Sequence, residues 1–314
     1  MRVLFWGTPE FATPPLRALL GEGYDVVGVV TQPDRPQGRH RSVMVPSPVK
    51  VIATDDGIPV LQPERPRGDD FLQSLRDLRP DVSVVVAYGH LLPQLAIQLP
   101  PLGTLNIHAS LLPRWRGAAP IQAALRAGDA ETGVSIMRMV QRLDAGPVLL
   151  QAPTPIETDE TFGELQLRLS ELGALAIMES LTLLSLGDVP EIPQDESRAT
   201  YAAKIDRTQL AIDWTLTGDE VARTICAFDP RPGAFSTLRD AEVKFFGAHS
   251  SPDARGDPGS VLRVDEAGLL IACRTGGVRC TYVHPAGRRR LAALDWAQGR
   301  GVLVGDRLGA AGGR

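Results

Sequence analysis

Asn106 and His108 stand two apart in the stretch LNIHASLLPRWRGAAP, Leu105 to Pro120, so any strand that contains them carries both on one face. A carboxamide beside an imidazole suits a carbonyl whose oxygen becomes negative. The Asn would donate to the oxyanion and the His would act as acid–base or electrostatic partner. Asp144, in RLDAGP, is the candidate third member. A carboxylate near the imidazole favours the imidazolium and can hold a water for proton transfer. Both features also have plainer explanations: a core histidine with satisfied hydrogen bonds, and an Asp that shapes a turn. Sequence alone does not bring positions 108 and 144 together.

Residues of this kind need elements to hold them. RVLFW (Arg2–Trp6) is a short apolar run, and residues 9–22 follow with a helical pattern whose first turn is restricted by Pro14 and Pro15. YDVVGVVT (Tyr24–Thr31), DVSVVVAY (Asp81–Tyr88) and GTLNIH (Gly103–His108) are further apolar runs, with helical stretches such as DDFLQSLRDL (Asp69–Leu78) between them. This alternation predicts an α/β domain with a parallel sheet covered on both faces. Its crevice would lie beyond the carboxyl ends of the strands, with GHLLP and ASLLPRWRGAAP side by side there. TGVSIMRMV and PVLLQAPTPI, separated by a short gap that holds Asp144, predict a hairpin-like pair, and a long amphipathic helix is expected over about 162–186. GDVPEIPQDESRATYAAK has no period and is taken as the linker. Beyond it, short strands such as AEVKFFGAH and GLLIACR recur between Gly and Pro residues, which predicts a small barrel or sandwich. The expected division is therefore 1–187, a linker at 188–203, and 204–314.

A chain of 314 residues, 43% hydrophobic and 22% charged, fits two globular domains. No run of about 18 apolar residues is evident and the opening residues do not form a signal peptide, so a cytoplasmic protein without a membrane span is expected. Three cysteines without C-x-x-C spacing predict neither a disulfide framework nor a metal site. Charge is uneven: residues 1–203 carry 17 Lys and Arg against 24 Asp and Glu, whereas residues 204–314 carry 16 against 13. A basic second half is a hint of an anionic partner. The stretch Thr31–Lys50 is long for a βα connection and offers Arg35, Arg39, His40 and Arg41. The tail GDRLGAAGGR is expected to fray.

Taken together, GTPEFA, TQPDRPQGR, SPVK, VVAYGHLLP, LNIHASLLPRWRGAAPIQAAL, DAETGVSIMRM and LDAGPVL resemble the methionyl-tRNA formyltransferases of the folate-dependent formyltransferase family. The likeness continues through YAAKI, IDWTLT and AFDPRPGAF, so its ordered blocks cover about 235 residues. It implies a Rossmann-like formyltransferase domain followed by an OB-like β-barrel. It also implies transfer of formyl from 10-formyltetrahydrofolate to the α-amino group of methionyl initiator tRNA, without a metal, by a monomer. The family's catalytic residues fall on Asn106, His108 and Asp144, and its folate contacts on Ser110, Leu111, Leu112, Pro113, Tyr88 and Gly89. Its tRNA contacts fall on Arg39 and Arg41 in the long loop and on Lys204. His90 stands where relatives often carry an apolar residue, and Arg114, Trp115 and Arg116 are expected to anchor their loop.

Two relatives by chemistry compete. A glycinamide ribonucleotide formyltransferase would have a Gly/Ser-rich phosphate loop after the first strand, where this chain has GTPEFA. A sugar-nucleotide formyltransferase would lack TQPDRP and the basic second half. A dinucleotide-binding module would want G-x-G-x-x-G, and WGTPEF holds one Gly. A tRNA-binding protein without activity would have no use for Asn106, His108 and Asp144 together.

Overall fold

The computed structural model describes residues 1–37, 43–187 and 189–309. The chain divides into two compact units, each assembled from separated segments: Met1–Gly117, Thr132–Thr154 and Gln166–Tyr201 in one, Ala118–Glu131, Pro155–Leu165 and Ala202–Arg314 in the other.

The first unit is built on a seven-stranded sheet. In chain order its strands are β1 (Arg2–Gly7), β2 (Asp25–Val30), β3 (Val60–Leu61), β4 (Val82–Val86), β5 (Thr104–His108), β6 (Glu131–Arg138) and β7 (Val148–Pro155). Their spatial order is β7-β6-β5-β4-β1-β2-β3. From β3 to β5 the strands are parallel. Every residue of β4 is buried, which explains a run made almost wholly of Val: with both faces covered, no alternation is needed. At one end the parallel sheet carries the hairpin-like pair expected from the sequence. β6 runs antiparallel to β5, pairing His108 with Ser135, and it turns back into β7 through a bond from the Arg138 amide to Pro147 O. Apolar runs do not encode strand direction, and a hairpin at an edge needs no crossover helix.

The helix Phe162–Leu186 is, by length and composition alone, long and apolar enough to cross a membrane. From Gln166 onward it packs within the first unit. Leu169, Ile177 and Leu181 are fully buried, and Ser170 Oγ donates to Phe11 O. A Cβ on Gly173 would stand 2.9 Å from Ile107 Cγ2, so the glycine lets the helix approach β5.

The second unit holds an antiparallel sheet of β8 (Ala234–Leu238), β9 (Ala241–Ser251), β10 (Val261–Asp265), β11 (Gly268–Ala272), β12 (Gly277–Pro285) and β13 (Leu291–Ala292). The path is β8-β9-β12-β11-β10, with β13 also on β12. The helix Gly218–Cys226 starts on a capping box of Thr217 and Glu220, and it adds Val221, Ile225 and Cys226 to a core with Phe245, Ile271 and Trp296. Segment 306–309 closes the sheet into a barrel. Asp306 O and the Leu308 amide bond residues Val261 and Gly259 beside one edge, while Gly309 exchanges two backbone bonds with Thr237 on the other. The tail expected to fray is thus structural as far as Gly309; residues 310–314 lie outside the described residues.

Two measurements check this packing. Truncation after Gly305 removes the closing segment and should lower the thermal midpoint by several degrees, at about 4 °C or less per kcal/mol in a domain of this size. Burial pushes the Cys226 and Cys273 thiols up to about 12, so neither should react with a maleimide at pH 8 until the chain unfolds. Folded-state values this high leave stability intact below the ordinary thiol range, near about 8.5, and erode it as pH rises toward 12.

Candidate active site

The site begins on β5. Leu105 and Ile107 are buried on one face, which turns Asn106 and His108 to the other. Asn106 lies between Val85 of β4 and Met137 of β6. Among the described residues, no hydrogen bond engages its carboxamide. The chain then folds into a loop stitched to the sheet. Ser135 Oγ donates to Ser110 O at 2.7 Å and accepts from the Leu112 amide at 3.0 Å, and Gln151 Nε2 donates to Leu112 O at 2.9 Å. Ser110 Oγ donates to Arg114 O at 2.6 Å. The loop returns so that His108 Nε2 donates to Trp115 O at 2.9 Å. A carbonyl only accepts, so Nε2 carries a hydrogen and Nδ1 is the nitrogen left to act.

Nδ1 faces Asp144, whose Oδ2 lies 3.7 Å away; the two side chains are 6% and 13% exposed. The same Oδ2 accepts from the Gly117 amide at 2.8 Å, which fixes the carboxylate. The structure therefore brings together the pair that the sequence could only propose. Asp144 itself has a left-handed backbone, φ 47°, an unusual state for a non-glycine residue. Gly146 is required two residues on, because a Cβ there would stand 1.8 Å from Arg138 O.

Arg116 is 0% exposed, and its guanidinium is held from the segment after the long helix. Gln194 Oε1 accepts from Nε and Nη2 at 3.0 and 2.8 Å, and Glu196 accepts from Nη1 and Nη2 at 3.1 and 2.9 Å. The guanidinium beside Glu196 holds that carboxyl below the usual range. Gln194 Nε2 also donates to Asp144 O at 2.9 Å and Gly146 O at 2.7 Å. Thr200 Oγ1 accepts from the Trp115 amide at 2.9 Å. Arg116 thus anchors its loop, as expected. Gln194 and Thr200 carry no signal in the sequence: they sit in an aperiodic stretch and their partners are mostly backbone atoms.

Where the chain leaves β1, β2 and β4 at their carboxyl ends, a cavity of about 300 Å³ is bordered by Thr8, Gln32, Ser47, Tyr88 and Gly89, among others. Tyr88 offers little of its side chain. The ring is 2% exposed and packs edge-on against Trp6 in the core, and burial pushes its phenol up to about 12. Its carbonyl accepts from Thr8 Oγ1 and Gln32 Nε2. His90 is exposed, with its ring edge-on to Tyr88. Near the base of the long loop, Asp34 binds Lys50 at 2.7 Å and Gln62. Arg39 and Arg41 lie outside the described residues, and Lys204 is exposed.

A sheet with an Asn-x-His at the carboxyl end of one strand, its His facing an Asp from a neighbouring loop, is an arrangement suited to group transfer through an oxyanion. Residues 1–181 match the family described as Formyl transferase, and residues 204–301 match Formyl transferase, C-terminal domain. The chain belongs to the formyl transferase family. It is 46% identical over 300 residues to the methionyl-tRNA formyltransferase of Marinobacter nauticus, covering 95% of this chain and 96% of that protein. The fold is also similar to HypX from Aquifex aeolicus in complex with tetrahydrofolic acid, at a TM-score of 0.65 and 20% identity, covering 94% of this chain and 46% of that one. WlaRD, a sugar 3N-formyl transferase, matches at a TM-score of 0.68 and 16% identity, covering 92% of this chain and 98% of that one.

Gly146→Ala tests the loop geometry. Forcing a methyl against Arg138 O should destabilise the protein by about 1–3 kcal/mol in urea unfolding, and it should cost turnover more than the lost stability explains.

Proposed function

We propose that the chain transfers formyl from 10-formyltetrahydrofolate to the α-amino group of methionine esterified to initiator tRNA. The observation that carries this assignment is the His108–Asp144 pair with Asn106 on the same strand face. The 46% identity to a methionyl-tRNA formyltransferase over nearly the whole chain supports the choice of acceptor.

In this mechanism the neutral amine attacks the formyl carbon, forming a C–N bond and leaving an oxyanion and an ammonium in one tetrahedral species. The Asn106 carboxamide has no competing partner among the described residues, so it can donate to the oxyanion without first breaking a bond. His108 presents Nδ1, with Nε2 held by Trp115 O. Protonated at Nδ1, the ring places a positive charge beside the oxyanion, and Asp144 stabilises that charge. Asp144, through a water, takes the proton released by the ammonium and passes it to the folate N10 as the C–N10 bond breaks. Formylated amine and tetrahydrofolate result, with no proton gained or lost.

The folate would lie along the loops of Tyr88–Gly89 and Ser110–Pro113. Because Ser110 Oγ and the Tyr88 ring are committed inside the protein, backbone groups and Leu111 are the means of contact there. Arg39 and Arg41 would meet tRNA phosphates, as would Lys204, in the segment that leads into the basic carboxy-terminal portion. Residues 1–187 would supply chemistry and 204–314 tRNA binding, in a cytoplasmic monomer.

The test is incubation with 10-formyltetrahydrofolate and, separately, methionyl initiator tRNA, methionyl elongator tRNA and an amino-sugar nucleotide. Formyl-methionine on the initiator is expected; transfer to the sugar alone contradicts the assignment. Asn106→Ala should lower kcat by about 10²–10³-fold, and Asp144→Asn should lower it strongly with folate affinity preserved. Arg39→Ala should raise KM for tRNA and leave KM for folate unchanged. Affinity for tRNA should fall linearly in log–log form with salt.

A further inference from the structure

We infer that the segment Glu191–Thr200 is a clasp that sets the distance between the catalytic pair, with Gln194 as its central positioning residue, an inference that rests on the roles given to Asp144 and His108 above. Gln194 is used to capacity. Both hydrogens of its amide go to carbonyls on either side of Ala145, those of Asp144 and Gly146, and its oxygen takes two bonds from Arg116. A carboxamide has two donors and two acceptor sites, so this one cannot rotate without losing bonds. One side chain thereby ties the backbone that carries Asp144 to the loop that carries Trp115 O, the acceptor that fixes the His108 ring.

The rest of the segment acts on the same two loops. Thr200 Oγ1 accepts from the Trp115 amide, Thr200 O accepts from the Arg116 amide, and the Thr200 amide donates to Pro113 O. On the Asp144 side, Arg138 binds Glu191, Arg142 binds Glu196 at 2.6 Å, and Val148 and Ile192 exchange two backbone bonds. The left-handed conformations of Asp144 and Trp115, φ 47° and 60°, are states that non-glycine residues hold only where their surroundings impose them. The clasp supplies that imposition at both points. Asp144 and His108 face each other across 3.7 Å and both are bonded to the loop Trp115–Gly117, so a small shift of that loop or of the Asp144 backbone changes their relation directly.

Gln194→Met in the full chain keeps length and volume but removes all four bonds. A misplacement of the pair predicts that kcat falls about tenfold to hundredfold, with KM for 10-formyltetrahydrofolate and for tRNA within twofold of the parent. Because Gln194 acts through Asp144, Gln194→Met added to Asp144→Asn should cost less than twofold further. Thr200→Val should behave like Gln194→Met, and Thr200→Ser should restore activity; if Gln194→Met does not fold, the Thr200 pair carries the same test. Unchanged kcat in Gln194→Met, alongside a large loss in Asp144→Asn, overturns the clasp and leaves the catalytic assignment standing. So does a loss that multiplies with Asp144→Asn, which marks a merely structural role. Unchanged turnover in Asp144→Asn overturns the catalytic assignment itself.

Discussion

A guanidinium with none of its surface in water must be paired, because an isolated buried charge is among the most costly things a fold can contain. Arg116 is in that position. Its planar fork suits bidentate acceptors, and the chain supplies Gln194 and Glu196. Meeting that demand requires the segment after the long helix to cross back over the loop Ser110–Gly117. Once there, it also reaches the carbonyls around Asp144. The arrangement of the site therefore follows from satisfying one buried cation.

Preorganisation is the chemical consequence. His108 enters with Nε2 committed to a backbone carbonyl and Asp144 with an oxygen on the Gly117 amide, so neither group must search for its orientation when charge develops. Dipoles fixed in advance around a developing oxyanion contribute more than mobile ones, which must reorganise at the moment of reaction. Asn106, by contrast, has its carboxamide free among the described residues, which suits its proposed role as donor to an oxyanion that exists only in the transition state. The parallel sheet makes this possible. β4 and β5 are parallel neighbours, so both release their loops at the carboxyl end of the sheet, where the crevice of such folds lies.

The sequence was most legible where physics is local. The Val-rich β4 and the helix Phe162–Leu186 follow from composition and period, and Asn106 and His108 could be placed on one face from spacing alone. The direction of β6 against β5 could not be read, because an antiparallel strand has the same side-chain alternation as a parallel one. Segment 306–309 looked like tail because its bonds to both barrel edges mostly use its backbone atoms, which leave no mark on residue type; Asp306, paired with Arg239, and the buried Leu308 are its side-chain contributions. Gln194 was invisible for the same reason. Half its bonds go to carbonyls fifty residues away in sequence, and an aperiodic stretch rich in Pro and acid reads as a linker.

The most direct test is the tautomer of His108. Nitrogen-15 NMR of the histidine-labelled protein, with His108→Gln to assign the signal, reports which ring nitrogen carries the hydrogen when the imidazole is neutral. A clasp that holds Trp115 O against the ring predicts hydrogen on Nε2 and a bare Nδ1 facing Asp144. Hydrogen on Nδ1 with Nε2 bare would contradict the geometry on which the proposed role of His108 depends.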